Sequence, residues 1–423
     1  MDVLTNNQTL PELAALRAVA AMLAGRMDLQ AILDGTTRLL VDLLALRAAS
    51  IRLVDEETGE LKIASYHNMS QAYLDKGPLL VSASSIDAEA LAGKTVYVAD
   101  LPHDPRTVYK EDARREGLVS ALVVPLSNRG RAFGVLRVYT GEPHAFGPNE
   151  VALVETIASQ VAAAIVNARL RAEAREAERL ERQIRVAAEV QRRMIPAHAP
   201  RTPHYEFGCV YEPSWELCGD FYDFLEFPSG DIGVVIADVV GKGVPASLVM
   251  ASARAALRSH AKRVYDVNEV VSEVNRRLFR DTLDSEFATA FYGVLSPDGK
   301  RLTYCNGGHD PPLLLRDGAI RELDVGGMLL GVDRDAKYVR AIEHLRPGDV
   351  ILMYTDGVID AANYQGDSFG RERLRESLIR HAALPAGQLA QQIKWDVRRY
   401  TGLTAHADDV TMVAIRVAPS GKP

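Results

Sequence analysis

Two stretches, GVVIADVVGKGVPA (233–246) and VILMYTDGVID (350–360), decide the fold of the C-terminal half. In each, an apolar run ends in an aspartate close to a glycine. A strand that is apolar on both faces is typical of a sheet buried between two layers. LCGDFYDFLEF (217–227) and ADDVTMVAIRV (407–417) carry the same feature, with the aspartate before the apolar run. We therefore predict four strands with an aspartate at the point where each strand emerges.

Aspartates at the ends of neighbouring strands predict a metal site. Several such carboxylates repel one another and lose hydration, so a cation is needed to hold them together. Ligation by oxygen alone selects hard metals, Mg²⁺ or Mn²⁺ rather than zinc. Two such ions can hold a phosphate oxygen and supply an activated water, which is the chemistry of phosphoester hydrolysis. A single Asp-Gly after a strand is more often a turn, and only the recurrence of the pattern favours a site.

The second half resembles the type 2C, or PPM, metal-dependent protein phosphatases of the bacterial SpoIIE-like branch, which regulates sigma factors. The resemblance runs from AAEVQRRMIP (187–196) to DDVTMVAIRV (408–417). The segments that carry it are GDFYD (219–223), ADVVGKGVPASLVMA (237–251), ATAFYGVL (288–295), NGGHDPPLLL (306–315), RPGDVILMYTDGVIDAAN (346–363), FGRERL (369–374) and DDVT (408–411). The implied fold over residues 197–420 is an α-β-β-α sandwich, with two antiparallel sheets flanked by helices.

The same resemblance assigns roles to individual residues. Asp238 resembles the carboxylate that bridges two metals, and the carbonyl of Val239 resembles a ligand of the first. Asp356 and Asp408 resemble ligands of the second metal, which Asp220 would reach directly or through water. The implied catalytic residues are Asp220, Asp238, Asp356 and Asp408, the implied metal ligands are these four with Val239 and Asp409, and the implied cofactors are two Mn²⁺ or Mg²⁺ ions.

Three other polar residues near these motifs are given structural roles. Asp223 is expected behind the ligands or in a turn. His309 could act as a general acid, but a packed or turn histidine is favoured. Cys218 is not expected to be a nucleophile, because no basic residue near it in sequence would lower the pKa of its thiol and the CxxxxxR loop of cysteine phosphatases is absent.

The N-terminal half has the pattern of an α+β domain. Apolar residues at helical spacing between about Leu10 and Leu46 predict two helices. Predicted strands follow, bounded by turn residues: ASIRLVD (49–55), ELKIASY (60–66), KTVYVAD (94–100), SALVVPLS (120–127) and AFGVLRVYT (132–140). PNEVALVETIASQVAAAIVNA (148–168) then returns to helical spacing.

This order resembles a GAF domain over residues 10–168, most closely at GLVSALVVPLSNRGRAFGVLRVYTGEPHAFGPNEVALVETIASQVAAAI (117–165). The resemblance implies a sensor that receives a small ligand or partner of unknown identity. No cysteine lies in this half, which excludes a thioether-linked bilin. A GAF fold that only packs and dimerises is the alternative.

A helical linker is predicted between the two domains, over residues 161–195, because the sequence contains no Gly or Pro until Pro196. An alternating three-four step of apolar and small residues predicts a coiled-coil seam and hence a homodimer. The seam residues are Ala163, Val166, Leu170, Ala177, Leu180, Ile184, Ala187, Gln191 and Met194. A solvated single helix with Glu-Arg pairs is the alternative.

Composition narrows the class of protein. The 423 residues carry a net charge of -7, which argues against a nucleic-acid partner because phosphate binding needs a positive field. No window approaches about 18 consecutive apolar residues, and no secretory signal is visible, so we predict a cytoplasmic protein without a membrane span. The three cysteines have no CxxC spacing and are expected to be reduced thiols.

The sequence thus predicts an α+β chain of two domains in which a GAF domain controls a serine/threonine phosphatase through a coiled coil. The resemblance implies a phosphorylated protein as substrate, a small antagonist of an anti-sigma factor. The alternative is a catalytically silent sensor or scaffold of the same fold. A nucleotide cyclase or a histidine kinase is excluded, because no P-loop, ATP lid or phosphoacceptor-histidine motif is present.

Overall fold

The computed structural model describes residues 28–264, 266–283, 285–404 and 408–418. It divides into two compact units, which meet in sequence between Glu178 and Arg179. Residues 10–27 of the predicted N-terminal helices and residues 419–420 of the predicted phosphatase domain lie outside the described residues. The domain boundaries at 168, 195 and 197 stay predictions.

The first unit is built on a five-stranded antiparallel sheet of order β2-β1-β5-β4-β3. All five strands predicted from sequence are present, although the third keeps only three residues of KTVYVAD. Their bounds are β1 (Ala48–Val54), β2 (Leu61–His67), β3 (Val96–Val98), β4 (Ala121–Asn128) and β5 (Arg131–Tyr139). The α+β class predicted for this unit is confirmed.

Helices cover both faces of this sheet and bury it. They are α1 (Leu29–Leu43), α2 (Gln71–Leu74), α3 (Ser85–Leu91), α4 (Lys110–Glu116) and α5 (Pro148–Arg192), with a 3₁₀ turn at Val81–Ala83. On one face, α1 and the first part of α5 pack on alternate strand residues such as Ile51 and Leu136. On the other face, Tyr73 of α2 and Ile86 of α3 pack against Tyr139. Arg52 and Arg137 lie on strands between the same layers.

The 45-residue helix α5 confirms the predicted uninterrupted helix, with shifted ends. It begins at Pro148 and stops at Arg192, three residues before the predicted end. An 18-residue window in it has a mean hydropathy of 1.6, apolar enough to cross a membrane by length and composition. A core helix of a soluble domain passes the same test, and Val154, Ile157 and Val161 are fully buried in the first unit.

The second unit contains two sheets. One has the order β13-β10-β9-β8-β7, with β14 on β10, and the other has the order β12-β11-β15-β16-β6. All pairs are antiparallel except the two-residue pair of β10 with β13. The strands are β6 (Tyr205–Glu212), β7 (Phe221–Glu226), β8 (Ile232–Val239), β9 (Ala288–Leu295), β10 (Arg301–Gly307), β11 (Leu313–Arg316), β12 (Ala319–Glu322), β13 (Gly326–Gly327), β14 (Ala341–His344), β15 (Val350–Tyr354) and β16 (Val410–Val417).

Helices flank the two sheets on their outer faces, which confirms the expected α-β-β-α sandwich. They are α6 (Gly243–Ala261), α7 (Val267–Asp281), α8 (Asp356–Ile359), α9 (Gly370–His381) and α10 (Ala386–Thr401). One core joins Met250 of α6 with Ile236 of β8 and with Val413 from the second sheet. A second core lies under α9 and α10, where Leu378 and Ile393 pack with strand residues of β15 and β16.

The contact between β6 and the start of α10 depends on Gly208. A methyl group at this position would overlap the carbonyl oxygen of Ala386 and the Cα atom of Gly387. Gly387 itself faces open space. The strand and the helix therefore approach more closely than any side chain at residue 208 permits.

We expect Gly208→Ala to lower the free energy of unfolding of the phosphatase unit by about 1–3 kcal/mol, because overpacking forces the helix away from the strand. Gly387→Ala is the matched control, since it adds the same methyl group without a clash and should be neutral or stabilising by about 0.4–1 kcal/mol. Urea unfolding of the full chain measures both. Equal stability of Gly208→Ala and the parent would contradict the packing described here.

Candidate metal centre

Asp220 and Asp238 lie side by side at one end of the sheet that contains β7 and β8, the first of the two sheets in the second unit. Phe221 of β7 pairs with Ala237 of β8, so the antiparallel register sets Asp220 opposite Asp238. The two carboxyl groups are close enough for the charge of Asp238 to raise the pKa of Asp220. Asp220 is 2% exposed. The sequence prediction that these two residues converge is consistent with this geometry.

Asp356, Asp408 and Asp409 lie at the corresponding end of the second sheet. Thr355 follows β15 and its backbone N–H donates to the carbonyl of Thr411 in β16, 3.0 Å away. Asp356 begins α8 directly after it. Gly357 lets the two segments touch, because a methyl group there would overlap the carbonyl oxygen of Asp409.

One hydrogen bond joins these two strand ends across the sandwich. The hydroxyl of Thr355, which is fully buried, donates to Oδ2 of Asp220 at 2.7 Å. Tyr211 of β6, in the second sheet, donates its hydroxyl to the backbone carbonyl of Asp220 at 3.3 Å. The carboxylates of both sheets therefore meet at one end of the domain.

Burial and mutual charge make these carboxylates unusually basic. Burial raises the pKa of Asp220 well above its usual range, and the charge of Asp238 raises it further. The pKa of Asp238 is also raised by burial, with added repulsion from Asp408 and Asp409. Burial raises the pKa of Asp356 to about 7, and the charges of Asp238 and Asp408 contribute. Nearby like charges that disfavour ionisation mark a place where a cation would be stabilised.

Asp408 and Asp409 have protein partners in the structure. Asp408 is half exposed and pairs with Nζ of Lys242 at 3.0 Å. The carboxylate of Asp409 accepts from the backbone N–H groups of Ser214, at 2.7 Å, and Gly219, at 3.1 Å. Asp409 thus fixes the loop that leads to Asp220. Its predicted role as a metal ligand stays a prediction.

The carbonyl of Val239 lies close to this loop. A Cβ atom on Gly219 would come within 2.7 Å of the Val239 oxygen, so only glycine allows the loop and the end of β8 to approach this closely. This contact keeps the segment before Asp220 against the residue that follows Asp238. The carbonyl that was predicted as a ligand is therefore at the same end of the sandwich as the carboxylates.

The aspartate carboxylates and the Val239 carbonyl at this end of the sandwich offer only oxygen atoms, and the carboxylates carry excess negative charge. Their chemistry therefore fits a hard divalent cation. As positioned, however, no group of three or more His, Cys, Asp or Glu side chains in the described ranges is arranged to hold a metal ion. Two interactions help to explain why the predicted ligands are not arranged around an ion. Asp408 pairs with Lys242, and Asp409 accepts hydrogen bonds from backbone N–H groups. Asp408 could bind an ion only by giving up its pair with Lys242.

Neither His309 nor Cys218 has the properties of a catalytic group. His309 is buried, its Nδ1 lies 2.8 Å from the Thr289 hydroxyl, and burial lowers its pKa to about 4, so the imidazole is neutral at pH 7. Burial raises the pKa of the Cys218 thiol far above its usual value, and Asp220 adds to the shift. Asp223 is buried, and its carboxylate pairs with the guanidinium groups of Arg254 and Arg258.

Several residues of the site had no clear signal in the sequence. Lys242 and Asp310 are single charged residues in loops, and Asp310 is close enough for its charge to raise the pKa values of Asp238 and Asp356. Gln191 was assigned to the coiled-coil seam, but its amide clamps the backbone of Cys218. It donates to the Cys218 carbonyl at 2.7 Å and accepts from the Cys218 N–H at 3.0 Å.

Comparison with known proteins agrees with the geometry. The family described as Stage II sporulation protein E (SpoIIE) matches residues 228–418, and the GAF domain family matches residues 26–166. The phosphoserine phosphatase RsbU of Bacillus subtilis is 28% identical over 239 residues, which are 56% of this chain and 70% of RsbU. The phosphoserine phosphatase RsbP of the same organism is 26% identical over 155 residues, 36% of this chain and 38% of RsbP.

A solved structure also shares the fold of the second unit. The PP2C domain of SiaA from Pseudomonas aeruginosa aligns with a TM-score of 0.51 at 24% identity, covering 57% of this chain and 98% of that domain. Phosphatases of the PP2C family depend on Mg²⁺ or Mn²⁺. The chain therefore contains a GAF domain followed by a serine/threonine phosphatase domain of the SpoIIE type.

Proposed function

We propose that this chain is a signal-controlled phosphatase that removes phosphate from a phosphoserine or phosphothreonine of a small cytoplasmic protein. The observation that carries the proposal is the convergence of Asp220, Asp238 and Asp356 from two sheets. The names of RsbU and RsbP support phosphoserine as the target. An antagonist of an anti-sigma factor is the proposed substrate, by the resemblance to the sigma-factor-regulating branch.

We propose two Mn²⁺ or Mg²⁺ ions as cofactors. Asp238 would bridge them, the carbonyl of Val239 would complete the first site, and Asp356 with Asp408 would hold the second, which Asp220 reaches directly or through water. When bound, such ions polarise a phosphate oxygen and lower the pKa of a bound water. The protein would add orientation, since Thr355 holds one oxygen of Asp220 in place.

Direct hydrolysis without a phosphoenzyme follows from the neighbouring groups. The Cys218 thiol remains protonated because its pKa is raised, so it is a poor nucleophile. His309 is buried and neutral, and its Nδ1 is engaged by Thr289. Neither of these two side chains is prepared to accept a phosphoryl group, and water is the proposed attacking species.

A silent scaffold of the same fold is the second candidate. The described residues contain no ready-made group of three ligands, which favours this reading. All the predicted ligand aspartates are nevertheless present, and raised pKa values at three of them are the electrostatic signature expected of a cation site. Metal-dependent turnover separates the two candidates.

We further propose that α5 transmits the signal from the GAF domain. Gln191 in its last turn is hydrogen-bonded to Cys218, two residues before Asp220. A change in the position of this turn would therefore reach a carboxylate of the site through a short, rigid path. Leu170, Leu180 and Ile184 are 56%, 52% and 37% exposed at the predicted seam positions, which supports a homodimer through a coiled coil.

We expect Asp238→Asn to abolish Mn²⁺-dependent hydrolysis of p-nitrophenyl phosphate and of a phosphoserine protein, with a loss of at least about a hundredfold. The substitution removes a bridging negative charge and keeps the shape of the side chain, so the fold should persist by circular dichroism. Steady-state kinetics of the full chain over a Mn²⁺ titration measures the loss.

The control is Asp335→Asn, an exposed aspartate of the same domain, which should leave turnover unchanged. If Asp238→Asn is as active as the parent, the assignment of Asp238 to the catalytic metal site is wrong. Absence of Mn²⁺- or Mg²⁺-dependent activity in the unaltered chain on every phosphoprotein tested would favour the scaffold.

We expect Gln191→Leu to lower kcat about tenfold, because it leaves the buried N–H and C=O of Cys218 without partners at a cost of about 1–3 kcal/mol. Glu189→Gln, an exposed change two residues away on α5, is the control and should have parental kinetics. Both variants are assayed as full chains, with thermal unfolding recorded beside kcat. If kcat and the Mn²⁺ dependence of Gln191→Leu equal those of the control, the clamp has no role in catalysis.

A further inference from the structure

Both tryptophans of the chain are exposed, and both belong to the phosphatase domain. Trp215 is 61% exposed and Trp395 is 58% exposed. Tryptophan is highly buried on average, because its ring is a large apolar surface. It is also strongly enriched among the residues that contribute most to protein–protein binding. The two exposed rings therefore mark a candidate contact surface.

Trp395 borders an open groove of about 710 Å³, which lies between the last turn of α5, the end of β6 and α10. The walls of the groove include Pro213, in the loop after β6. Trp215 follows Pro213 by two residues, so the Cα atoms of these two residues are at most about 8 Å apart. An open groove of this size can hold several side chains of another protein.

The groove carries an excess of positive charge. Three of its described lining residues are cationic, namely Arg192, Lys394 and Arg398. Among the described residues that line it, Glu212 alone is acidic, and its carboxylate pairs with Lys394. The charges of Arg192 and Arg398 therefore stay in excess. A basic groove beside an exposed indole ring is complementary to an acidic segment that also offers an apolar side chain.

The groove lies at the end of the sandwich that holds the proposed metal centre. Glu212, the last residue of β6, pairs with Val410 of β16, which follows Asp409 directly. Tyr211 also lines the groove, and it donates its hydroxyl to the backbone carbonyl of Asp220. One tyrosine side chain thus connects the groove with a predicted metal ligand. A protein held in the groove is close enough to present a phosphoserine to the site.

The backbone that carries the two tryptophans is anchored. The N–H and the hydroxyl of Ser214 donate to the carboxylate of Asp409 at 2.7 and 2.9 Å, and the N–H of Gly219 donates to the same carboxylate at 3.1 Å. The loop with Trp215 is therefore fixed on both sides. Trp395 lies within helix α10. Docking on anchored backbone costs little ordering of the surface.

We propose that Trp215, Trp395 and the basic groove beside them form the docking surface for an acidic segment of the phosphoprotein substrate. The indole rings cover an apolar side chain of that segment, and Arg192 and Arg398 attract its carboxylates. Docking raises the effective concentration of the phosphoserine at the metal centre, so it acts on KM more than on kcat. This inference rests on the proposed phosphatase function and concerns how the same site recognises its substrate.

Peptide kinetics of the full chain in Mn²⁺ test the proposal. The acidic probe is a synthetic peptide with a central phosphoserine and, about five residues (roughly 17 Å of extended chain) to each side, a leucine flanked by glutamates. The neutral probe has glutamine in place of every glutamate, and p-nitrophenyl phosphate is the third substrate. In the parent, kcat/KM should be at least about tenfold higher for the acidic than for the neutral peptide. This ratio should fall as NaCl is raised from about 0.05 to about 0.5 M.

Two variants and two matched controls separate docking from catalysis. Trp395→Ala should raise KM for the acidic peptide about tenfold with kcat nearly unchanged, and Arg192→Gln should raise it about threefold. Val339→Ala removes an apolar side chain that is 59% exposed, and Arg334→Gln removes an exposed arginine; both should keep the parental KM. Turnover of p-nitrophenyl phosphate, which is too small to reach the groove, should be parental in all four.

Tryptophan emission gives a readout that does not depend on turnover. The two tryptophans of the chain both belong to the docking surface, so a peptide that covers them changes the whole tryptophan signal. In EDTA, which prevents hydrolysis, the acidic peptide should shift the emission maximum to shorter wavelength in a saturable way, and the neutral peptide should not. Trp395→Phe should lose most of the shift.

The possible failures are distinguishable. Equal kcat/KM of the parent on both peptides, with normal turnover of p-nitrophenyl phosphate, would reject the docking surface and leave the phosphatase function standing. Absence of Mn²⁺-dependent turnover of p-nitrophenyl phosphate would reject the phosphatase function, and with it a substrate as the occupant. An emission maximum that shifts with the concentration of the chain alone, and with neither peptide, would place a second copy of the chain on this surface and reject the proposal.

Discussion

The phosphatase domain depends on one constraint: its two sheets bring several carboxylates to one place, and these carboxylates repel one another. Asp220 and Asp238 come from the first sheet and Asp356 from the second, and burial strips water from all three. The closed sandwich therefore carries an electrostatic cost that a divalent cation would relieve. Because Thr355 fastens Asp220 to the opposite sheet, a cation held by Asp220 would be coupled to the packing of the two sheets.

The two domains place charge in opposite ways. In the phosphatase domain, acidic groups meet where strands end, with Lys242 as a nearby cation at the rim. In the GAF domain, basic groups lie between a sheet and its covering helices, with Asp87 as the buried anion. In each domain, an excess of charge of one sign is buried away from water. Such an excess does not stabilise the fold, since a buried charge without a partner is costly.

Patterns extended over several residues were readable from the sequence, and single polar residues were not. The buried strands β8 and β15 are apolar on both faces, so their position and the aspartates at their ends could be predicted. Gln191 occupies a seam position by periodicity, and only the packing of the loop at Cys218 turns it inward. Arg52 interrupts an otherwise ordinary strand, and nothing in its neighbours reveals that its counterion is taken by Arg137. Pairings of this kind depend on distant segments that local propensity does not encode.

The continuity of α5 constrains how such a chain can acquire a different sensor. Each residue added to or removed from an α-helix turns everything beyond it by about 100°. Gln191 meets Cys218 at one rotational setting, and the residues that follow the GAF core lie on the same unbroken helix. With signalling through α5 as proposed, an exchange of the input domain would have to conserve helical phase, and whole-heptad differences in length would be tolerated far better than single-residue ones.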